Sequence, residues 1–259
     1  MGDSSVSFVR RRSSLNYDIQ AHKPFTKIEL PMKNKLYYLF SVAAMLICFQ
    51  LRAQTSEETR SLQSFSAVKV ANAIEAELIK GDKNEVHIAA SGIALDRVST
   101  SIDKQTLEIK ISGSNSGASV KVKITYKDIN ELSASTAAKV FVKNPLSART
   151  IKINAATSSY VEAEVDSHAL VLEAATNAKI FVKGSTETLD LKAFTNAEIN
   201  GEGLDVDEAN VRVNTAANAT FTVNESITGT AATAGKVYYK GDPNYVDVKT
   251  NTGGAIERN

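Results

Sequence analysis

The chain has no tryptophan, a single cysteine and only 7% aromatic residues. One thiol, Cys48, excludes a disulfide framework and a cysteine-rich metal site. No sign of charge dominates, since 30 basic residues stand against 29 acidic ones for a formal net charge of +1. Such a balance gives no field to gather nucleic acid or an anionic membrane, so neither is an expected partner. Four prolines and thirteen glycines are too few for a collagen-like or low-complexity chain. Histidine is scarce too: His22, His87 and His168 are not spaced as a metal pair. No His-Glu-x-x-His, phosphate-cradling loop or nucleophile elbow is present. The expectation is a protein without cofactor and without catalysis.

One long apolar run exists, Leu36 to Phe49, preceded by Met32-Lys33-Asn34-Lys35 and followed by Gln50-Leu51-Arg52-Ala53. A basic start, an apolar stretch and a small residue at the cut are the layout of a secretory signal peptide. The run is about 14 residues long, where a spanning helix needs roughly 20. Residues 32–53 are read as the signal, cut near Ala53, with a retained anchor as the alternative. Membrane contact is expected only through an uncleaved signal segment. Residues 1–31 then read as a gene-model extension or a tail, and residues 54–64 as a flexible polar leader. The protein is expected to be exported, to the periplasm, the outer surface or the medium.

Beyond that leader the sequence repeats. Leu132-Ser-Ala-Ser-Thr-Ala-Ala-Lys-Val-Phe-Val142 aligns with Ile153–Ala163 and with Leu172-Glu-Ala-Ala-Thr-Asn-Ala-Lys-Ile-Phe-Val182. Leu191–Gly201, Val213–Val223 and Gly229–Tyr239 continue the series, at spacings of about 16 to 22 residues that suit a solenoid. Within a copy the pattern alternates with period two, as in half-buried strands. The set Leu172, Ala174, Thr176, Ala178, Ile180 and Val182 is expected to face inward.

Three inward columns follow. Val140, Val161, Ile180, Ile199, Phe221 and Val237 make the aliphatic one. Ala138, Ser159, Ala178, Ala197, Ala219 and Gly235 make a column of small residues. Thr136, Thr157, Thr176, Thr195 and Thr233 make a threonine column, broken by Ala217. Stacked coils bury such faces only against their neighbours. A parallel β-helix with coils of about 20 residues is therefore expected, with an antiparallel sandwich as the alternative. Asn177, Asn196 and Asn218 read either as a stacked amide ladder or as solvated turn residues. Residues 65–126 are strand-like but less regular, and suggest longer coils or hairpins opening the solenoid, with a change of register near Lys127–Glu131.

The run Phe65-Ser-Ala-Val-Lys-Val70, then Ala73-Ile74-Glu75-Ala76-Glu77-Leu78-Ile79-Lys80-Gly81-Asp82, resembles the opening of the family called "putative auto-transporter adhesin, head GIN domain". Val237-Tyr238-Tyr239-Lys240-Gly241-Asp242-Pro243 and Thr252-Gly253-Gly254-Ala255-Ile256 resemble its close. The family has Gly-Ser-Gly where this chain has Thr-Gly-Gly, and Gly-Ser-rich repeats where this chain has Ala-Thr-Asn. The resemblance covers about residues 65–257. It implies a right-handed β-helix in a bacterial envelope and brings no catalytic residues.

The candidate binding face is outward. One column reads Lys139, Tyr160, Lys179, Glu198, Thr220, Lys236, and beside it run Phe141, Glu162, Phe181, Asn200, Thr222, Tyr238. Rings flanked by polar groups stack on sugars or pack against a partner protein. Phe141, Tyr160, Lys179, Phe181, Lys236 and Tyr238 are thus the candidate contacts for a glycan or an envelope or surface protein, although a loop or a neighbouring subunit could cover the same rings. The densest acidic patch holds Glu202, Asp205, Asp207 and Glu208. Glu202, Asp205 and Asp207 are candidate calcium ligands, and with Arg212 as base they would suit a polysaccharide lyase. Against both, Leu204 and Val206 alternate with the acids as on any solvated strand.

Overall fold

The computed structural model describes residues 55–259. The expected signal segment 32–53 and residues 1–31 lie outside the described residues. Seventeen strands form the described chain, joined by short turns and one turn of 3-10 helix. The first seven are β1 (Thr55–Ser61), β2 (Ala67–Val70), β3 (Glu75–Lys80), β4 (Glu85–Ser91), β5 (Val98–Asp103), β6 (Thr106–Ile111) and β7 (Ser119–Tyr126). Short β8 (Glu131–Ala134) and β9 (Lys139–Val142) are followed by long β10 (Leu146–Ala156), β11 (Tyr160–Ala175), β12 (Lys179–Phe194), β13 (Glu198–Asn214) and β14 (Asn218–Ala232). The chain closes with β15 (Lys236–Lys240), β16 (Tyr245–Asn251) and β17 (Ala255–Arg258).

From β8 onward every strand pairs in parallel with its equivalent one coil away, so the solenoid is a parallel β-helix. It makes about seven turns of about 19 residues. Each coil has two walls. The first half of each of β11 to β14 lies in the second wall, and the second half bends into the first wall of the next coil. Inward side chains alternate with outward ones along every strand, which is the period-two pattern of the sequence made physical.

The core is layered as the repeats require. Leu132, Ile153, Leu172, Leu191 and Val211 stack in one wall, facing Val140, Val161, Ile180 and Ile199 in the other, all at 1% exposure or less. Small residues line the inside of one corner: Ala138, Ser159, Ala178, Ala197, Ala217 and Gly235. Ser159 is the polar member, and its hydroxyl donates to the carbonyl of Ala134 at 2.9 Å.

Two expectations about columns need correction. Thr136, Thr157, Thr176, Thr195 and Thr233 do not face inward. They sit in the corner itself, with φ between 49° and 55°, and each is followed by a second left-handed residue. Consecutive left-handed residues are the signature of the tight type I′ turn. The column is also unbroken, because Thr215 pairs into it rather than Ala217. In the copy from Val213 the true register is two residues from the expected one. Ala219 stands on Ile199, and Phe221 stands on Gly201. With that shift the two extreme repeat spacings vanish. Asn218 consequently stands on Glu198, away from Asn177 and Asn196, so no three-membered asparagine ladder forms.

The amino-terminal part closes one end. β2 and β3 form a coil wedged between that of β6 and β7 and that of β8 and β9. Residues 127–130 carry the chain across that wedge, from the coil of β6 and β7 to that of β8 and β9. β5 lies antiparallel on β6, and β4 antiparallel on β7. β1 then pairs antiparallel with β4 along its whole length, so residues 55–61 are a strand and not a flexible leader. Its side chains are polar because it is the outermost strand. Arg60 fixes it, donating to the carbonyl of Val98 at 2.7 Å and to the hydroxyl of Thr100 at 3.0 Å.

Candidate functional site

The outward face of the second wall gathers Phe141, Tyr160 and Phe181. The backbones of β9, β11 and β12 are in register there, so Lys139, Tyr160 and Lys179 form one column, and Phe141, Glu162 and Phe181 the next. Tyr160 leans between the two phenylalanines. Its ring centroid is 5.5 Å from that of Phe141 and 5.3 Å from that of Phe181, both tilted. All three rings are half-buried. The Lys143 ammonium lies 5.9 Å from the centre of the Phe141 ring, within cation–π range.

Beside the rings runs a groove of about 570 Å³. Tyr160 and Phe181 supply its apolar wall, while Glu162, Glu164, Lys143, Lys183 and Asn200 supply polar groups. The Tyr160 hydroxyl donates to Glu162 at 3.1 Å. Burial, then that carboxylate, hold the phenol above its usual range, so it stays protonated and a donor. Lys183 pairs with Glu164 at 2.8 Å, which raises the lysine's pKa. Lys179 is tied to Glu198 of the next coil at 2.6 Å.

The sequence-predicted face is therefore assembled only in part. Phe141, Tyr160, Lys179 and Phe181 meet. Lys236 and Tyr238 lie on the same wall but farther along, with β13 and β14 intervening. The two-residue correction also places Asn218 in the Lys179 column and Thr220 beside Tyr238. Sequence reading missed Lys143, just past the end of β9, and Glu164 and Lys183, within β11 and β12, which border the groove. For Lys143 the signal was the Lys143-Asn144-Pro145 stop after the Phe141 strand.

The acidic patch comes apart. Asp205 and Asp207 line a second groove of about 660 Å³ at the outer bend between walls, but Glu202 does not. Glu202 sits at a bulge in β13, its amide donating to Asn200 at 3.1 Å. Among the described residues no group of three His, Cys, Asp or Glu is placed to hold a metal ion. The calcium set is thus not assembled. Arg212 lies on the outward side of the first wall, paired with Lys192 and Thr230, and does not reach this groove. Arg149 and His168 line it instead, His168 meeting Glu187 at 2.6 Å.

A two-walled parallel β-helix with a packed interior and ring-lined outer wall defines a repeat-built solenoid module. Residues 64–243 match the family described as "Putative auto-transporter adhesin, head GIN domain", and the chain belongs to it. Solved structures share the fold, three of them as follows. One is described as a putative adhesin from Bacteroides fragilis, with 16% identity, a TM-score of 0.71, and coverage of 80% of this chain and 98% of that one. A second, a putative adhesin from Parabacteroides merdae, has 20% identity, a TM-score of 0.66, and coverage of 80% and 97%. A third, described as a putative lipid binding protein from Parabacteroides distasonis, has 16% identity, a TM-score of 0.60, and coverage of 79% and 97%. No curated protein matches the chain. Among the described residues no helix is long and apolar enough to cross a membrane.

Proposed function

We propose that this protein is an exported, non-catalytic binding module whose contact surface is the groove beside Phe141, Tyr160 and Phe181. The observation that carries the reading is the ring cluster itself. Three aromatic rings cluster on adjacent coils, and two of them, Tyr160 and Phe181, border a groove whose other wall offers carboxylates and ammonium groups. Flat apolar faces next to hydrogen-bonding groups suit the two-sided chemistry of a sugar ring, so a cell-surface glycan is the preferred ligand. Membership of an adhesin-named family supports a surface role, as does the signal-like segment 32–53. The lipid-binding description of one neighbour finds less support in this chain. Its interior is filled by side chains such as Leu172, Ile180 and Leu191, at 0% exposure. The lyase reading loses its base, because Arg212 stands away from Asp205 and Asp207.

A glycan array probed with the folded protein tests this. Binding is expected to an oligosaccharide class, and Tyr160→Ala or Phe181→Ala should weaken it about tenfold or more, while Lys236→Ala, farther along the wall, should not. Folded protein that binds no glycan above background, or whose binding ignores Tyr160→Ala, refutes the reading.

A further inference from the structure

The two ends of the solenoid are finished differently. At the amino-terminal end β4 and β5 run antiparallel to the coil strands they cover, and β1 runs antiparallel on β4. The outermost strand there, β1, reads Thr-Ser-Glu-Glu-Thr-Arg-Ser, with every side chain exposed except the half-buried Arg60. Charged and polar side chains on an outer strand discourage further pairing. At the other end, β16 pairs with β14 and β17 with β15, and among the described residues neither has a strand on its far side. Both walls therefore stop on open backbone edges.

The last layer of the core is open as well. Val246 stands on buried Ile227, and Ile256 on buried Val237, with nothing stacked beyond them. Tyr245, at 55%, and Val246, at 45%, are the exposed large apolar residues among those described. Apolar surface and unpaired amides thus coincide on one strand, β16.

That strand is self-complementary. It reads Tyr245-Val-Asp-Val-Lys-Thr-Asn251, with Val248 at its centre. A second copy brought against it by a two-fold axis at Val248 pairs antiparallel, since a two-fold axis reverses the strand. Asp247 of each copy then faces Lys249 of the other, and Val246 faces Thr250. Outward Tyr245 faces Asn251. Opposite charges directly across an antiparallel pair attract, and like charges there repel. Any other register within one or two residues loses both ion pairs. We propose that β16 is a dimerisation edge, at which two copies of this chain meet end to end about Val248 and continue the sheet from one solenoid into the other. Such a contact is isologous and closed, so it stops at two copies.

Sedimentation velocity of the full chain over a wide concentration range tests this. A monomer–dimer equilibrium is expected. Asp247→Lys sets lysines against each other and should weaken the dimer about tenfold or more. The exchange Asp247→Lys with Lys249→Asp restores both pairs and should recover the dimer. Asp247 accepts only a long 3.4 Å hydrogen bond from the Tyr245 hydroxyl, so thermal melting should report an intact fold. If Asp247→Lys alone disturbs the melt, Lys249→Asp alone sets acid against acid and reads the same contact. A wild-type chain that stays monomeric overturns the proposal. So does a dimer indifferent to the single reversals, or one that the double exchange fails to recover.

Discussion

The amide of Asn196 donates to the carbonyl of Thr215 in the next coil at 3.0 Å. The same bond recurs from Ala73 to Thr136, Ala137 to Thr157, Ser158 to Thr176, Asn177 to Thr195, Ala216 to Thr233 and Ala234 to Thr252. The sheet ladder therefore does not stop at the corner but passes through it. Holding β-branched threonine at a positive φ costs about 1–3 kcal/mol per residue, and only a surrounding lattice that over-determines the turn can keep it there.

Glycine adopts that conformation without strain. Thr195, at φ 54°, replaced by glycine, should raise stability by about 0.5–1 kcal/mol after the entropy of the unfolded chain is counted. Thermal melting of Thr195→Gly is the measurement. A lowered melting point would show that the threonine side chain itself supports the corner.

The opposite expectation holds at the outer bend. Gly184 has φ 114°, and a Cβ there would lie 1.9 Å from the carbonyl oxygen of Val165. Gly184→Ala should cost about 2 kcal/mol or more, since backbone cannot move aside cheaply. Gly203→Ala is the control. Its Cβ would meet the Lys183 Cβ at 3.1 Å, tight but relieved by a shift of a few tenths of an ångström, and denaturant unfolding should show a smaller loss than for Gly184→Ala.

Tyr126 is 2% exposed, and its hydroxyl finds no partner among the described residues. Tyr126→Phe should therefore stabilise the fold at neutral pH, by about 1 kcal/mol. Burial, and secondarily Asp128, raise the phenol's pKa above its usual 10.0. As pH climbs past 10.0 the unfolded chain ionises first, so stability falls until the folded pKa is passed. Unfolding curves on either side of pH 10 should show that loss in the wild type and a smaller one in the variant.

Much of this fold is legible in the sequence because coil contacts are local and repeated. Val140, Val161, Ile180 and Ile199 fall in one column as their spacing demands. Ala219 and Phe221 were harder, for a physical reason. A slip of two residues keeps every side chain on its own face, so hydrophobic alternation cannot detect it. Only the corner can, and Thr215-Ala216 marks it by backbone conformation rather than by polarity. The strand β1 was illegible for a related reason. An outermost strand carries no alternating apolar set, so it reads as a tail. The ring cluster was legible from Phe141, Tyr160 and Phe181. The groove beside it was not, because Lys143 reaches it from beyond the end of β9 and Glu164 from a different strand, β11.

The wedged position of β2 and β3 has a consequence for how the molecule comes into being. Synthesis delivers Ala67–Lys80 early, yet its flanking coils are made from residues 106–126 and 131–142. Order of emergence and order of stacking differ there, so in a chain that folds from its amino terminus one edge of that coil stays bare until residue 126 has followed and the other until residue 142. Past Glu131 the two orders coincide, so each later coil can settle on a finished template the moment it appears.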